Sequence, residues 1–220
     1  MLAGATIPPE LSVAASLLAL GIGVIFHEVS HGWVANKLGD PTAKYAGRLS
    51  LNPIKHIDMW GTIIIPLLLI VSNAGFVFGW AKPVPVNYYN LKYGKWGPII
   101  VALAGPATNF LILLLCGLLY RISPENTALP FLFLMIGLVN TILMLFNLVP
   151  IPPLDGSKIL FLFLDKRPDI IARLEQYGMF ILLGIIILLP GFLNQAVFVP
   201  AFMLTAAIMG VPLADLLQIL

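Results

Sequence analysis

Long apolar stretches joined by short polar connections dominate the chain, at about residues 9–35, 61–80, 97–120, 129–150, 176–190 and 194–218. An α-helix rises about 1.5 Å per residue, so roughly 20 apolar residues cross the hydrocarbon of a bilayer. All but the second stretch read as such spans. The second, Gly61 to Trp80, reads as a short apolar helix to Val71 that breaks up at Ser72, Asn73, Gly75 and Gly79 before meeting Lys82, Pro83 and Pro85. The polar stretches at about 36–58 and 151–175 are too short to fold alone. The pattern predicts an all-α polytopic membrane protein, with about five transmembrane helices plus a re-entrant helix and β-loop segment.

Composition agrees: 60% of the 220 residues are hydrophobic and 10% charged, against roughly 25% charged in a soluble domain. The mean hydropathy is +0.99. Leu11 to Phe26 is read as a retained span, because no Lys or Arg precedes it and it runs into a polar motif instead of a small-residue cleavage site. A net charge of +2 gives no case for nucleic acid. The lone Cys116 lies in an apolar run and can form no intrachain disulfide.

The placement of charge says more than its sum. Lys37, Lys44, Arg48 and Lys55 follow the first span and mark that loop as cytoplasmic. If the second stretch crossed the membrane, the loops carrying Lys82, Lys92 and Lys95, and Lys158, Lys166, Arg167 and Arg173, would lie outside. If it dips in and returns, all 12 Lys and Arg except Arg121 are cytoplasmic. The expectation is therefore five spans in the cell membrane, N-terminus out, with a re-entrant element. Irregular backbone at membrane depth needs protein or a water-filled cavity to satisfy it, so a polar cavity is expected beside that element.

The first span ends in Phe26-His27-Glu28-Val29-Ser30-His31-Gly32-Trp33. Two histidines four apart project from one helix face and can chelate one ion. Glu28 stands where the acid of an HExxH motif serves as general base toward water. Polar ligands about 16 residues into an apolar span are functional by default. A hydrolytic zinc site needs a third protein ligand, which is either His56 or a carboxylate. The best carboxylate is Asp155 in Asn147-Leu148-Val149-Pro150-Ile151-Pro152-Pro153-Leu154-Asp155-Gly156, where three prolines break the fourth apolar stretch and set the acid on a bend. The first span and this one, at about 129–150, run the same way, so His31 and Asp155 reach the same side.

With HEVSH on the first span, Gly105-Pro106-Ala107-Thr108-Asn109 on the third stretch and the NLVPIPPLDG run, the sequence resembles the site-2 protease family of intramembrane metalloproteases, of the compact type without a PDZ or CBS domain. The likeness covers roughly residues 20 to 160. It implies zinc held by His27, His31 and Asp155, Glu28 as catalytic base, and cleavage of membrane-spanning protein substrates near the cytoplasmic side. It further implies one metalloprotease domain over residues 1–220, with a catalytic core at about 9–165 and accessory helices at about 174–220. Asn109 and Asn147 match asparagines that the family places near the metal, where an amide can bind the substrate carbonyl or an oxyanion; interhelical hydrogen bonding is the alternative. His56 is a candidate gate or auxiliary ligand, or else an interfacial histidine bonded to backbone or to Asp58. Met59 departs from the proline that compact relatives often carry there.

A helical substrate must unwind before its peptide bond can be attacked, and unwound backbone in lipid needs partners. The stretch from Gly75 to Val86 can offer them as a hairpin or extended edge, with Val77, Phe78 and Trp80 as the candidate pairing residues; a loop that merely plugs the bundle is the alternative. A metal transporter using the same ligands, and an inactive membrane scaffold, are the competing classes. Transporters usually carry internal repeats, and none is present here. The sequence holds nothing that fixes substrate identity or oligomeric state.

Overall fold

The computed structural model describes residues 8–73, 77–124 and 126–217. Among them five helices are long and apolar enough to cross a membrane: α1 (Pro9–Lys37), α3 (Trp96–Ile122), α4 (Leu129–Leu148), α6 (Pro168–Leu188) and α7 (Pro190–Met209). Among the shorter helices between them are α2 (Met59–Val71) and α5 (Gly156–Phe163). The protein is thus an all-α, multi-pass integral membrane protein, and no β-strand occurs among the described residues. The sixth helix begins eight residues earlier than its apolar stretch suggests. Pro168 is well suited to a first helical turn, and the polar turns carrying Arg173 and Glu175 extend the apolar stretch at its start.

The central bundle is α1, α3, α4 and α7. They close on Ala19, Leu113, Leu134, Leu138 and Met209, all nearly devoid of exposed surface, while Leu17, Leu18, Leu111 and Leu115 point outward as a lipid-facing surface does. Cys116 packs in this core. A Thr205 hydroxyl donates to Thr141 at 3.0 Å and ties α7 to α4, the kind of interhelical bond that apolar surroundings favour. The two last spans, which no motif explains, have a structural task. Leu182, Leu193 and Val197 pack on Val149 and Leu154, at the bend that leaves α4. At Gly178 the approach is so close that a Cβ would lie 2.5 Å from Pro152.

The second apolar stretch enters and leaves at one place. Its start is capped by Asp58, whose carboxylate accepts from the N–H groups of Trp60 and Gly61. Its return is pinned there: Trp80 N–H donates to the Gly61 carbonyl at 3.0 Å, the Thr62 hydroxyl to the Trp80 carbonyl at 2.9 Å, and Lys82 N–H to the His56 carbonyl at 2.9 Å. The re-entrant element is therefore α2 followed by an extended strap. Residues 77–87 of that strap pair with no neighbouring strand, and the turn of the expected hairpin, residues 74–76, lies outside the described residues.

The far end of the strap is fastened by Asp40, which follows α1. Its buried carboxylate accepts from Asn87 N–H at 2.7 Å, from the Asn90 amide at 3.1 Å, and from both N–H and hydroxyl of Thr42. Asp40 has no exposed surface. Burial opposes its ionisation, yet the bonds from Thr42, Asn87 and Asn90 outweigh that and hold the carboxyl below its ordinary value. A depressed folded-state value means the stabilisation is complete above the unfolded value of about 3.9 and fades as pH falls through the folded one. Asp40→Ala is expected to cost about 2–3 kcal/mol at pH 7. Unfolding in detergent followed by tryptophan fluorescence checks this: the deficit shrinks below about pH 4, and equal stability at pH 7 would refute the role.

Candidate metal centre

His27 and His31 sit one turn apart on α1 and are 6% and 8% exposed. Their Nε2 atoms lie 3.1 and 3.3 Å from one oxygen, Oδ2 of Asp155. The acid reaches them because α4 ends at Leu148 and the proline-rich bend delivers Asp155 to the start of α5. These three side chains are the group of His, Cys, Asp or Glu able to hold a metal ion among the described residues.

The tautomers follow from the surroundings. On α3, Val101, Gly105 and Asn109 fall four apart on one face. The Val101 carbonyl lies 2.7 Å from His31 Nδ1, and Asn109 Oδ1 lies 3.2 Å from His27 Nδ1. Both are acceptors, so each Nδ1 carries the proton and each Nε2 presents a bare lone pair. Between them Gly105 leaves the space clear: a Cβ there would stand 2.5 Å from His27 Nε2 and from His31 Nε2. Asp155 Oδ2 is buried with no hydrogen-bond donor facing it. Three lone-pair donors thus converge with no proton between them, an arrangement that a cation satisfies. Ligands held at about 2.0–2.1 Å around a tetrahedral zinc stand roughly 3.3 Å apart, which is the spacing found, so the donor set fits zinc.

Glu28 lies beside this group, half-buried, and Oε2 accepts from the Val84 N–H at 2.8 Å. Asn109, expected to contact substrate or an oxyanion, is fully buried with its oxygen 3.2 Å from His27 Nδ1. The Val101 carbonyl is invisible in sequence, because a main-chain acceptor leaves no side-chain signal. Asn147 donates to the Leu143 carbonyl of its own helix. His56, the candidate gate or auxiliary ligand, lies outside the three-residue group, is 3% exposed, and has Nε2 2.7 Å from the Ser50 carbonyl. Of the three strap residues, Val77 is exposed, Phe78 packs on the Val149 and Leu154 cluster, and Trp80 has its N–H and carbonyl bonded to Gly61 and Thr62. The N–H and carbonyl of Trp80 are therefore already bonded within the chain.

A helical membrane core that turns two imidazoles and a carboxylate onto one point, with a further acid next in sequence, defines an integral membrane metalloprotein of the HExxH type. The chain belongs to peptidase family M50, the site-2 protease family: the model described as Peptidase family M50 matches residues 15–126 and 120–189. It is 37% identical over 179 residues to "Putative zinc metalloprotease YwhC" of Bacillus subtilis, covering 76% of this chain and 77% of that one. It is 32% identical over 148 residues to "Putative zinc metalloprotease MJ0611" of Methanocaldococcus jannaschii, covering 66% and 68%. It is 28% identical over 193 residues to "Putative zinc metalloprotease Rip2" of Mycolicibacterium smegmatis, covering 84% and 73%. No solved structure matches the chain. At the level of its family the protein is a membrane zinc protease.

Proposed function

We propose that the chain is an intramembrane-cleaving zinc metalloendopeptidase that hydrolyses peptide bonds in or near transmembrane segments of other membrane proteins, in regulated intramembrane proteolysis. The observation that carries this reading is the convergence of His27, His31 and Asp155 with Glu28 alongside, inside a helical bundle. Zinc, when bound, supplies a Lewis acid that polarises a carbonyl and makes water more acidic. The remaining steps belong to the chain. His27 and His31 are held as ligands by Asn109 and Val101. Glu28 takes the proton from the attacking water and returns it to the departing amine. The basic loops favour the cytoplasmic side of the cell membrane for this chemistry.

The test is cleavage of a model transmembrane helix by the full chain in liposomes. Stripping the metal with a membrane-permeant chelator is expected to abolish cleavage, and zinc to restore it. Cleavage that survives complete removal of zinc would sink the reading, and metal flux across the same liposomes without cleavage would favour a transporter.

A further inference from the structure

We propose that the main-chain N–H of Val84 is a positioning group for Glu28, holding one carboxylate oxygen so that the other faces the reacting water. The inference rests on the metalloprotease reading above, in which Glu28 is the base. The contact is short and direct, 2.8 Å from Val84 N to Glu28 Oε2. It comes from a segment built to be rigid. The strap is fastened at Lys82 by the His56 carbonyl and by Arg48, whose Nη2 donates to the Lys82 carbonyl at 2.7 Å, and at Asn87 by Asp40. Arg48 is itself buried, so this clamp is part of the interior and not a surface tether.

The sequence of the strap fixes its register. Val84 stands between Pro83 and Pro85, neither of which has an N–H. A slip of one residue in either direction would set a proline against Glu28 and leave the carboxylate without this donor. The side chain of Val84 fixes the same register from the other direction. It is buried against Gly32, one turn beyond Glu28 on α1, where a Cβ would stand 2.8 Å from Val84 Cγ1. Glu28 and Gly32, four apart on one helix face, thus receive the N–H and the side chain of a single residue. One bond to one oxygen leaves the second carboxylate oxygen available, so the contact orients the base without blocking it. A carboxylate on a flexible side chain loses rate when its geometry drifts by about 1 Å, and this bond removes that freedom.

Replacing Val84 by its α-hydroxy acid analogue turns the amide into an ester, deleting the N–H while keeping the side chain. In the full chain in liposomes, kcat is expected to fall about 10–100-fold, the range for loss of a hydrogen bond that orients a reacting group, with KM within about twofold and zinc content unchanged. Val84→Pro, which deletes the same N–H in a backbone already extended by its proline neighbours, is expected to lose several-fold more kcat than Val84→Ala, which keeps it. Amide exchange reads the bond without catalysis: the Val84 N–H is expected to exchange at least about tenfold faster in Glu28→Ala than in wild type. Equal exchange in the two, or an ester that turns over as fast as wild type or faster, overturns the proposal. A wild-type protein without zinc-dependent cleavage brings down the metalloprotease reading instead, and this inference with it, even where Val84 is protected from exchange.

Discussion

Glu28→Gln is expected to lower turnover about 10²–10⁴-fold, the range for removal of a positioned general base, while binding zinc as wild type does. Two features of the site separate these outcomes. Glu28 is not one of the three side chains whose donor atoms converge, so the metal seat does not need its charge. Glutamine is the same size and keeps an amide oxygen able to accept from Val84 N–H, so the strap contact at 2.8 Å can persist. What is lost is only the capacity to take up a proton. Metal content by mass spectrometry alongside cleavage of a transmembrane helix measures both halves. Residual cleavage within tenfold of wild type would remove Glu28 from its assigned role, and loss of zinc would make it a ligand.

Much of the fold was readable because lipid makes the code simple. Spans must be apolar and long, so hydropathy alone locates five of them, and the imbalance of Lys and Arg argues that the stretch from Gly61 to Trp80 turns back. The bond between Trp80 and Gly61 gives that turn its atoms. His27 and His31 were legible because helical spacing is fixed, and Asp155 because prolines broke a helix beside it. What could not be read is carried by main chain and by absence of side chain. The Val101 carbonyl on His31, the Val84 N–H on Glu28 and the gap at Gly105 depend on which helix faces meet. Asn109 shows the same limit. Its type and place marked it as near the metal, but its 3.2 Å contact with His27 Nδ1 depends on how α1 and α3 meet. His56 shows it too: the contact of its Nε2 with the Ser50 carbonyl is a main-chain partnership that no side-chain pattern announces.

Asp155→Ala tests the metal seat most severely, because this carboxylate has no second task. Asp155 stands at the start of α5 but makes no capping hydrogen bond with its side chain, and among the described residues Oδ2 pairs with the two imidazole nitrogens at 3.1 and 3.3 Å and accepts no other hydrogen bond. Removing it leaves no buried donor unsatisfied, so the penalty that usually follows loss of a buried polar partner does not arise. The Ala variant is therefore expected to unfold, without metal, at about the same temperature as metal-free wild type. Its zinc affinity is expected to fall by more than the roughly 10–100-fold that loss of a mere orienting partner costs, since a coordinating atom and a negative charge are both gone. Competition with a chromophoric chelator gives the affinity, and circular dichroism on heating gives the stability. Zinc held as tightly as in wild type would mean that the third ligand lies elsewhere, while lost metal accompanied by lost helix would mean that Asp155 supports the fold as well as the site.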